Sequence, residues 1–375
     1  MIEIIDLFLS IKGFTLKNIS LTIETGTYHA LIGPTGCGKT TLLEAVLGLR
    51  EIHKGKILLE GKDITRLPVH KRGFSYVPQD LAIFPHLTVE ENLFYGIKHS
   101  NISNKEQRYR EVLNLAERLG ISHLLKRKAV NLSGGERQRI ALARALAPGC
   151  KYLLLDEPLS ALHEGMKREL WFLLKELQKK YSLTILMVSH DFEETFFLAD
   201  NVSVMIDGAI IQTGKKEEVY TNPLTLEVAR FFGIKNIFEA EIIELVENYY
   251  KTYCEILGAE ILVPMEKFKN IKEKKQRGDK ILFGIRSEDV IILRPDLPMR
   301  KENLLKGIIR EVYLAGSNSI VLFQPERSKE VIEIIMPEYA FSKLSVRPTI
   351  PATITLRPER IFLLSDAKPR KDFTK

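Results

Sequence analysis

Gly33-Pro34-Thr35-Gly36-Cys37-Gly38-Lys39-Thr40-Thr41 stands between an apolar run, Tyr28–Ile32, and a helical pattern reaching about Leu49. Its glycines let the backbone curl so that successive N–H groups point inward at phosphate. The start of the helix adds favourable partial charge. Lys39 is expected to reach the β- and γ-phosphates, and Thr40 to ligand Mg²⁺. A strand, a phosphate loop and a helix in that order imply an α/β fold built on a parallel sheet.

A second glycine turn, Leu132-Ser133-Gly134-Gly135-Glu136-Arg137-Gln138, opens another helix far along the chain. It offers a separate set of backbone N–H groups. One chain is not expected to wrap both turns around the same ATP, so a second copy is expected to complete each site.

Tyr152-Leu153-Leu154-Leu155-Asp156-Glu157 puts two acids at the end of an apolar run, where ligands of open α/β sheets collect. Asp156 suits Mg²⁺, and Glu157 is placed to polarise a water for attack on the γ-phosphate. Such a base contributes about 10²–10⁴ in rate. His190 follows the run 183–189 and is read as a γ-phosphate contact. Gln79 follows Tyr76-Val77-Pro78, where a helical insertion begins, and is read as a Mg²⁺ ligand that senses movement of that insertion.

The chain has 375 residues, 45% of them hydrophobic and 27% charged, a composition that predicts two or three globular domains. No apolar run approaches the roughly 18–20 residues of a spanning helix. The acidic start, Met1-Ile2-Glu3-Ile4-Ile5-Asp6, argues against an export signal. Cys37, Cys150 and Cys254 lack metal-ligand spacing and fit a reducing cytosol. The formal charge of +7 is spread among acids, as in Lys272-Glu273-Lys274-Lys275. Without a nucleic-acid-binding motif, that pattern reads as a solvated surface or attraction to an anionic membrane face, and no nucleic-acid partner is expected.

Up to about residue 235, buried strands (28–32, 151–155, 184–188) alternate with helical patterns (104–119, 166–180), and residues 85–150 form a helical insertion. From 236 to 375 the texture becomes β-rich and repetitive. The run 283–293 matches 354–364, Pro264 and Phe268 pair with Pro337 and Phe341, and Asn236-Ile237-Phe238 pairs with Asn303-Leu304-Leu305. Two related β modules are expected, near 236–295 and 303–366.

These motifs, in this order over residues 1 to about 235, resemble the ATP-binding subunit of ABC transporters. The resemblance implies a P-loop (RecA-like) ATPase with an inserted helical subdomain. Residues 33–41 would form the Walker A loop, Gln79 the Q-loop glutamine, and Ser133-Gly134-Gly135-Glu136 the signature. Asp156 and Glu157 would be the Walker B pair with Glu157 as base, and His190 the switch histidine. The family works as a head-to-tail pair, each signature closing over the partner's ATP. Two departures stand out. The adenine-stacking aromatic is replaced near Ile11, with Phe8 and Phe14 close by. The aspartate usually following Ser160-Ala161-Leu162 is His163, which bears on communication between the two sites.

The segment Phe84-Pro85-His86-Leu87-Thr88-Val89-Glu90-Glu91-Asn92-Leu93 is similar to importer ATPases, in which it receives a helix of the membrane subunit. Phe84 and Leu87 serve equally as core of the insertion. Gly284-Ile285-Arg286-Ser287-Glu288-Asp289 and Asn303-Leu304-Leu305-Lys306-Gly307 resemble the small β-barrel (OB-like, TOBE/Mop) regulatory domains of oxyanion, ferric-iron, polyamine and sugar importers. Residues 33–44, the short lead and 306–315 look most like the molybdate/tungstate branch. The resemblance implies permease subunits as partners, an extracytoplasmic solute-binding protein indirectly, a place on the cytoplasmic membrane face, and in some members an oxyanion bound by the tail. Gly316-Ser317-Asn318-Ser319 is read first as a polar hairpin turn and second as an anion cradle. A soluble ABC protein acting on DNA or ribosomes would carry two ATPase halves or long arms. A GTP switch would need Asn-Lys-x-Asp, which Asn104-Lys105-Glu106-Gln107 fails.

Overall fold

The computed structural model describes residues 1–11, 13–97, 104–265, 275–294, 302–344 and 347–365. Phe268 and the charged run 272–274 lie outside them. Two compact units divide at Lys216/Glu217, about twenty residues before the change of texture at 235.

The first unit is built on a six-stranded sheet. In chain order its elements are β1 (Ile2–Ile11), β2 (Phe14–Ile23), β3 (Tyr28–Ile32), α1 (Lys39–Leu47), β4 (Lys54–Leu59), β5 (Lys62–Asp63), β6 (Phe74–Val77), α2 (Val89–Ile97), α3 (Lys105–Arg118), α4 (Gly134–Leu146), β7 (Tyr152–Asp156), α5 (Glu164–Tyr181), β8 (Thr184–Val188), α6 (Phe192–Leu198), β9 (Asn201–Ile206) and β10 (Ala209–Lys215). The large sheet runs β10-β9-β3-β8-β7-β6, parallel except for β10. Every residue of β3, β7 and β8 is buried, which is why their sequences read as unbroken apolar runs.

A smaller antiparallel sheet, β2-β1-β4-β5, packs its apolar face over α1 and the same core. The sequence reading did not include it. Two register irregularities in the β1–β2 pairing break strict alternation, so the period-2 signal is weak. Helix α1 ends at Leu47 rather than Leu49, because Gly48 takes φ +85° and caps it.

The insertion contains α2, α3 and α4. Asn104 caps α3 through its side chain, and Ser133 caps α4. Helix α5 buries Leu170, Trp171, Leu174, Leu177 and Gln178, a helical stripe facing the core.

The second unit opens with α7 (Lys216–Thr221) and α8 (Leu226–Phe231). Its barrel-like β domain contains β11 (Ile237–Val246), β12 (Tyr249–Cys254), β13 (Ala259–Pro264), β14 (Lys280–Gly284) and β15 (Val290–Ile292). There follow β16 (Leu304–Ala315), β17 (Asn318–Pro325), β18 (Ile332–Pro337), the short helix α9 (Glu338–Lys343), β19 (Pro351–Leu356) and β20 (Phe362–Leu364). The sheets run β13-β12-β11-β14-β20 and β15-β19-β16-β17-β18 around one apolar core. Strands β11–β15 and β16–β20 correspond one to one. Each half donates its last short strand to the other half's sheet, β15 pairing with β19 and β20 with β14.

The exchange is pinned by two equivalent asparagines. Asn236 donates to the Glu333 carbonyl (2.8 Å) and accepts from its N–H (2.9 Å). Asn303 does the same with Leu262 (3.0 and 2.6 Å) and also donates to the Leu356 carbonyl (2.9 Å). Gly316-Ser317 form a two-residue hairpin turn between Ala315 and Asn318, in agreement with the first of the two readings.

Candidate functional site: a phosphate cleft at four strand ends

Residues 33–41 leave β3, Gln79 follows β6, Asp156 ends β7 and His190 follows β8. Strands β3, β8, β7 and β6 are neighbours, so all four positions lie at the carboxyl ends of adjacent parallel strands. Open α/β sheets collect ligands at that edge. An open cleft of about 480 Å³ is lined there by Ile11, Phe14, Thr35, Gly36, Gly38, Lys39, Thr40, Thr41, Arg50, Gln79, Glu157 and His190.

The loop is held by close packing. A Cβ on Gly33 would lie 2.0 Å from the Met205 carbonyl oxygen, so no larger residue fits. Lys39 is buried, and its ammonium donates to the carbonyls of Gly33 (2.9 Å) and Pro34 (3.0 Å). This keeps the cation inside the loop, where three donors suit phosphate oxygens. Cys37 packs beneath the loop, and burial pushes its thiol up from the ordinary value.

The Thr40 hydroxyl donates to Asp156 Oδ1 at 3.1 Å. Burial raises the Asp156 carboxyl, the signature of an acid short of positive charge. Among the described residues no cluster of three His, Cys, Asp or Glu side chains could hold a metal. One carboxylate and one hydroxyl still fit Mg²⁺, which is bound through few protein oxygens together with substrate phosphates.

Glu157 is held from both sides. Gln79 Nε2 donates to its Oε2 at 3.3 Å, and His190 Nδ1 lies 3.1 Å from its Oε1. Its backbone sits at φ +43°, a left-handed conformation rare outside glycine. The backbone thereby aims the carboxylate at the cleft.

The second glycine turn is elsewhere. Ser133 and Glu136 form a reciprocal capping box: Ser133 Oγ accepts from the Glu136 N–H, and Glu136 Oε2 from the Ser133 N–H. The Ser133 N–H lowers the Glu136 carboxyl, so this acid is occupied in shaping the turn. Gly134 and Gly135 face Leu162 and Met166, and none of residues 133–136 lines the cleft.

Of the three residues named around the expected adenine position, Ile11 and Phe14 pair across β1 and β2 and line the cleft. Phe8 instead packs edge-on to His53. Arg50, absent from the sequence reading, also lines the cleft and is paired with Glu44 at 2.7 Å. Its position after a helix carried no motif, so only the fold could show it. Phe84 packs against Tyr95 at 4.6 Å and lies beneath the Arg144 guanidinium. That cation also donates to the carbonyls of Leu81 and Ala82, just after Gln79.

The sequence profile described as ABC transporter matches residues 16–160. A molybdate/tungstate import ATP-binding protein of Pyrococcus horikoshii is 38% identical over 306 residues, 82% of this chain and 84% of that protein. The chain belongs to the ATP-binding subunits of ABC importers. A spermidine/putrescine import ATP-binding protein of Thermotoga maritima is 36% identical over 80% of each chain. Among solved structures, the ADP conformation of an ABC transporter cassette superposes with TM-score 0.54 at 26% identity, covering 62% of this chain and 98% of that one. A dimeric bacterial ABC cassette gives TM-score 0.52 at 26% identity, with 57% and 98% covered. This ABC subunit is therefore an ATPase.

Proposed function

We propose that two copies of this chain hydrolyse MgATP head to tail and drive uptake of an oxyanion, molybdate or tungstate. The observation that carries the shared-site reading is the separation of the two phosphate-facing turns. The cleft is lined by Thr35, Gly36 and Gly38–Thr41 but not by residues 133–136, so the Ser133 hydroxyl and the Gly134 and Gly135 N–H groups serve a nucleotide held by the other copy.

Within one cleft, the loop N–H groups and Lys39 bind the β- and γ-phosphates. Thr40, Asp156 and Gln79 would hold Mg²⁺, which when bound supplies positive charge to the phosphate oxygens. Ile11 and Phe14 form the apolar wall for adenine. Glu157 accepts the proton of the attacking water at its carboxylate, and His190 holds that carboxylate in place and contacts the γ-phosphate.

Permease subunits are the membrane partner, with an extracytoplasmic binding protein delivering solute to them. Among the described residues no helix is long and apolar enough to cross a membrane. Attachment at the cytoplasmic membrane face is proposed from the permease partner. The oxyanion reading rests on relatives at 38% and 39% identity whose names carry molybdate/tungstate import. The polyamine reading stands second, on relatives at 36% over a similar span.

Glu157→Gln is expected to bind ATP, hydrolyse it slowly and accumulate as a dimer in light scattering. A variant still monomeric at saturating MgATP would overturn the shared site. Uptake of labelled tungstate, molybdate or spermidine by cells carrying this chain with its permease separates the solutes. Spermidine uptake alone would displace the oxyanion reading.

A further inference from the structure

A buried carboxyl that hydrolysis as described does not use lies behind His190. Glu194 is the third residue of α6 and 3% exposed. Asp191 caps this helix, and its Oδ1 accepts from the Glu194 N–H at 3.1 Å. In a reciprocal capping box, the glutamate would reach back to the N–H of the cap residue. Here it reaches further. Glu194 Oε2 accepts from the buried Ser189 hydroxyl at 2.6 Å, and Ser189 Oγ in turn accepts from the Asp191 N–H at 3.0 Å. Three hydrogen bonds thus form a closed ring, and the residue enclosed between Ser189 and Asp191 is His190.

The imidazole itself is 56% exposed, yet its Nδ1 stands 3.1 Å from Glu157. An exposed ring keeps such a position only if its backbone is fixed from the buried side. Glu194, Ser189, His190, Lys167, Ser160 and Glu157 also line one small cavity of about 30 Å³, so the ring directly adjoins the base. Burial pushes the Glu194 carboxyl up to about 7. Its surroundings are Lys167 from α5, Tyr28 from β3, and Asp191 and His190 from the turn. Its Oε1 has no hydrogen-bond partner within the described protein, so a full negative charge there is poorly compensated.

We propose that Glu194 is a positioning residue for ATP hydrolysis, whose carboxyl fixes the Ser189–Asp191 turn so that His190 is held against Glu157. The role requires a hydrogen-bond acceptor and not a charge. Glutamine supplies that acceptor and alanine does not.

The test uses steady-state ATPase kinetics of the full chain, with melting curves to establish the folded fraction. Glu194→Ala is expected to lower kcat roughly 10–100-fold, the scale of a small misplacement at a reacting centre. Its KM for ATP should stay within about threefold, because the interaction lost acts after binding. Glu194→Gln should retain kcat within about threefold by the same reasoning. Ser189→Ala removes the donor at small change in volume and should repeat the kcat loss if Glu194→Ala folds poorly. In the His190→Ala background, Glu194→Ala should add nothing further, whereas a purely structural role would multiply the two losses. A wild-type kcat in both Glu194→Ala and Ser189→Ala, a Gln variant as slow as the Ala variant, or multiplicative losses with His190→Ala would each overturn the proposal.

Discussion

Glu157 Oε1 stands 3.1 Å from His190 Nδ1, and the backbone of Glu157 is wound to φ +43° to bring it there. A non-glycine residue in such a conformation costs of order 1–3 kcal/mol, retained where function needs it. Glu157→Gly should therefore raise stability by about 1 kcal/mol while ATPase activity falls about 10²–10⁴-fold. Melting and turnover on the same preparation decide the matter. A variant that melts below wild type would show that the backbone there is not strained.

His29 gives the first unit an acid-sensitive core. It lies in β3 with Nε2 2.8 Å from Ser203 Oγ, and burial lowers it to about 4 from an ordinary 6.5. Between those values the unfolded chain binds a proton that the folded chain refuses. Stability from neutral His29 is complete above pH 6.5 and is lost as pH falls toward 4, by about 3 kcal/mol in total. Urea midpoints at pH 7.5 and 4.5 should differ less in His29→Gln than in wild type. Equal shifts in both proteins would remove His29 from the account.

His163 occupies the cap of α5 in extended conformation, yet its side chain makes no capping bond. His163→Asp supplies an acceptor and a charge matched to the helix N-terminus, which should add about 0.5–1 kcal/mol. Its Hill coefficient for ATP should change more than its KM, because the residue follows the Ser160-Ala161-Leu162 segment just after Asp156 and Glu157. An unchanged Hill coefficient would leave it with a capping effect alone.

The asparagine pair in the β domain predicts an unequal response. Asn236 makes two hydrogen bonds to β18, whereas Asn303 makes two to β13 and a third to β19. Replacing either by alanine strands buried backbone groups at about 1–3 kcal/mol, and Asn303→Ala should be the costlier. Calorimetry of the full chain reads both. Loss of less than half a kcal/mol in each would mean the swap is held by its apolar core alone.

Much of the site was legible in sequence because its parts are local. The loop 33–41 needs glycines, and Asp156, Glu157 and His190 each break an apolar run where a strand ends. Ser133 and Glu136 announce a cap by their spacing. The smaller antiparallel sheet β2-β1-β4-β5, Arg50 and Glu194 were not legible. Strands β1 and β2 have a broken alternation, Arg50 carries no motif, and a glutamate three residues after an aspartate reads as a surface helix start.

By itself, then, the sequence determined the strand–loop–helix unit, the strand-end polar groups and the repeat in the tail, since each follows from backbone preference or side-chain period over a few residues. Tertiary structure alone decided that Gln79 and His190 meet on Glu157, and that β15 and β20 change places between sheets. It also decided that Glu194 turns inward to Ser189. Pairing between strands far apart in the chain, and the burial that makes a carboxyl seek one hydroxyl, arise only when distant segments pack together.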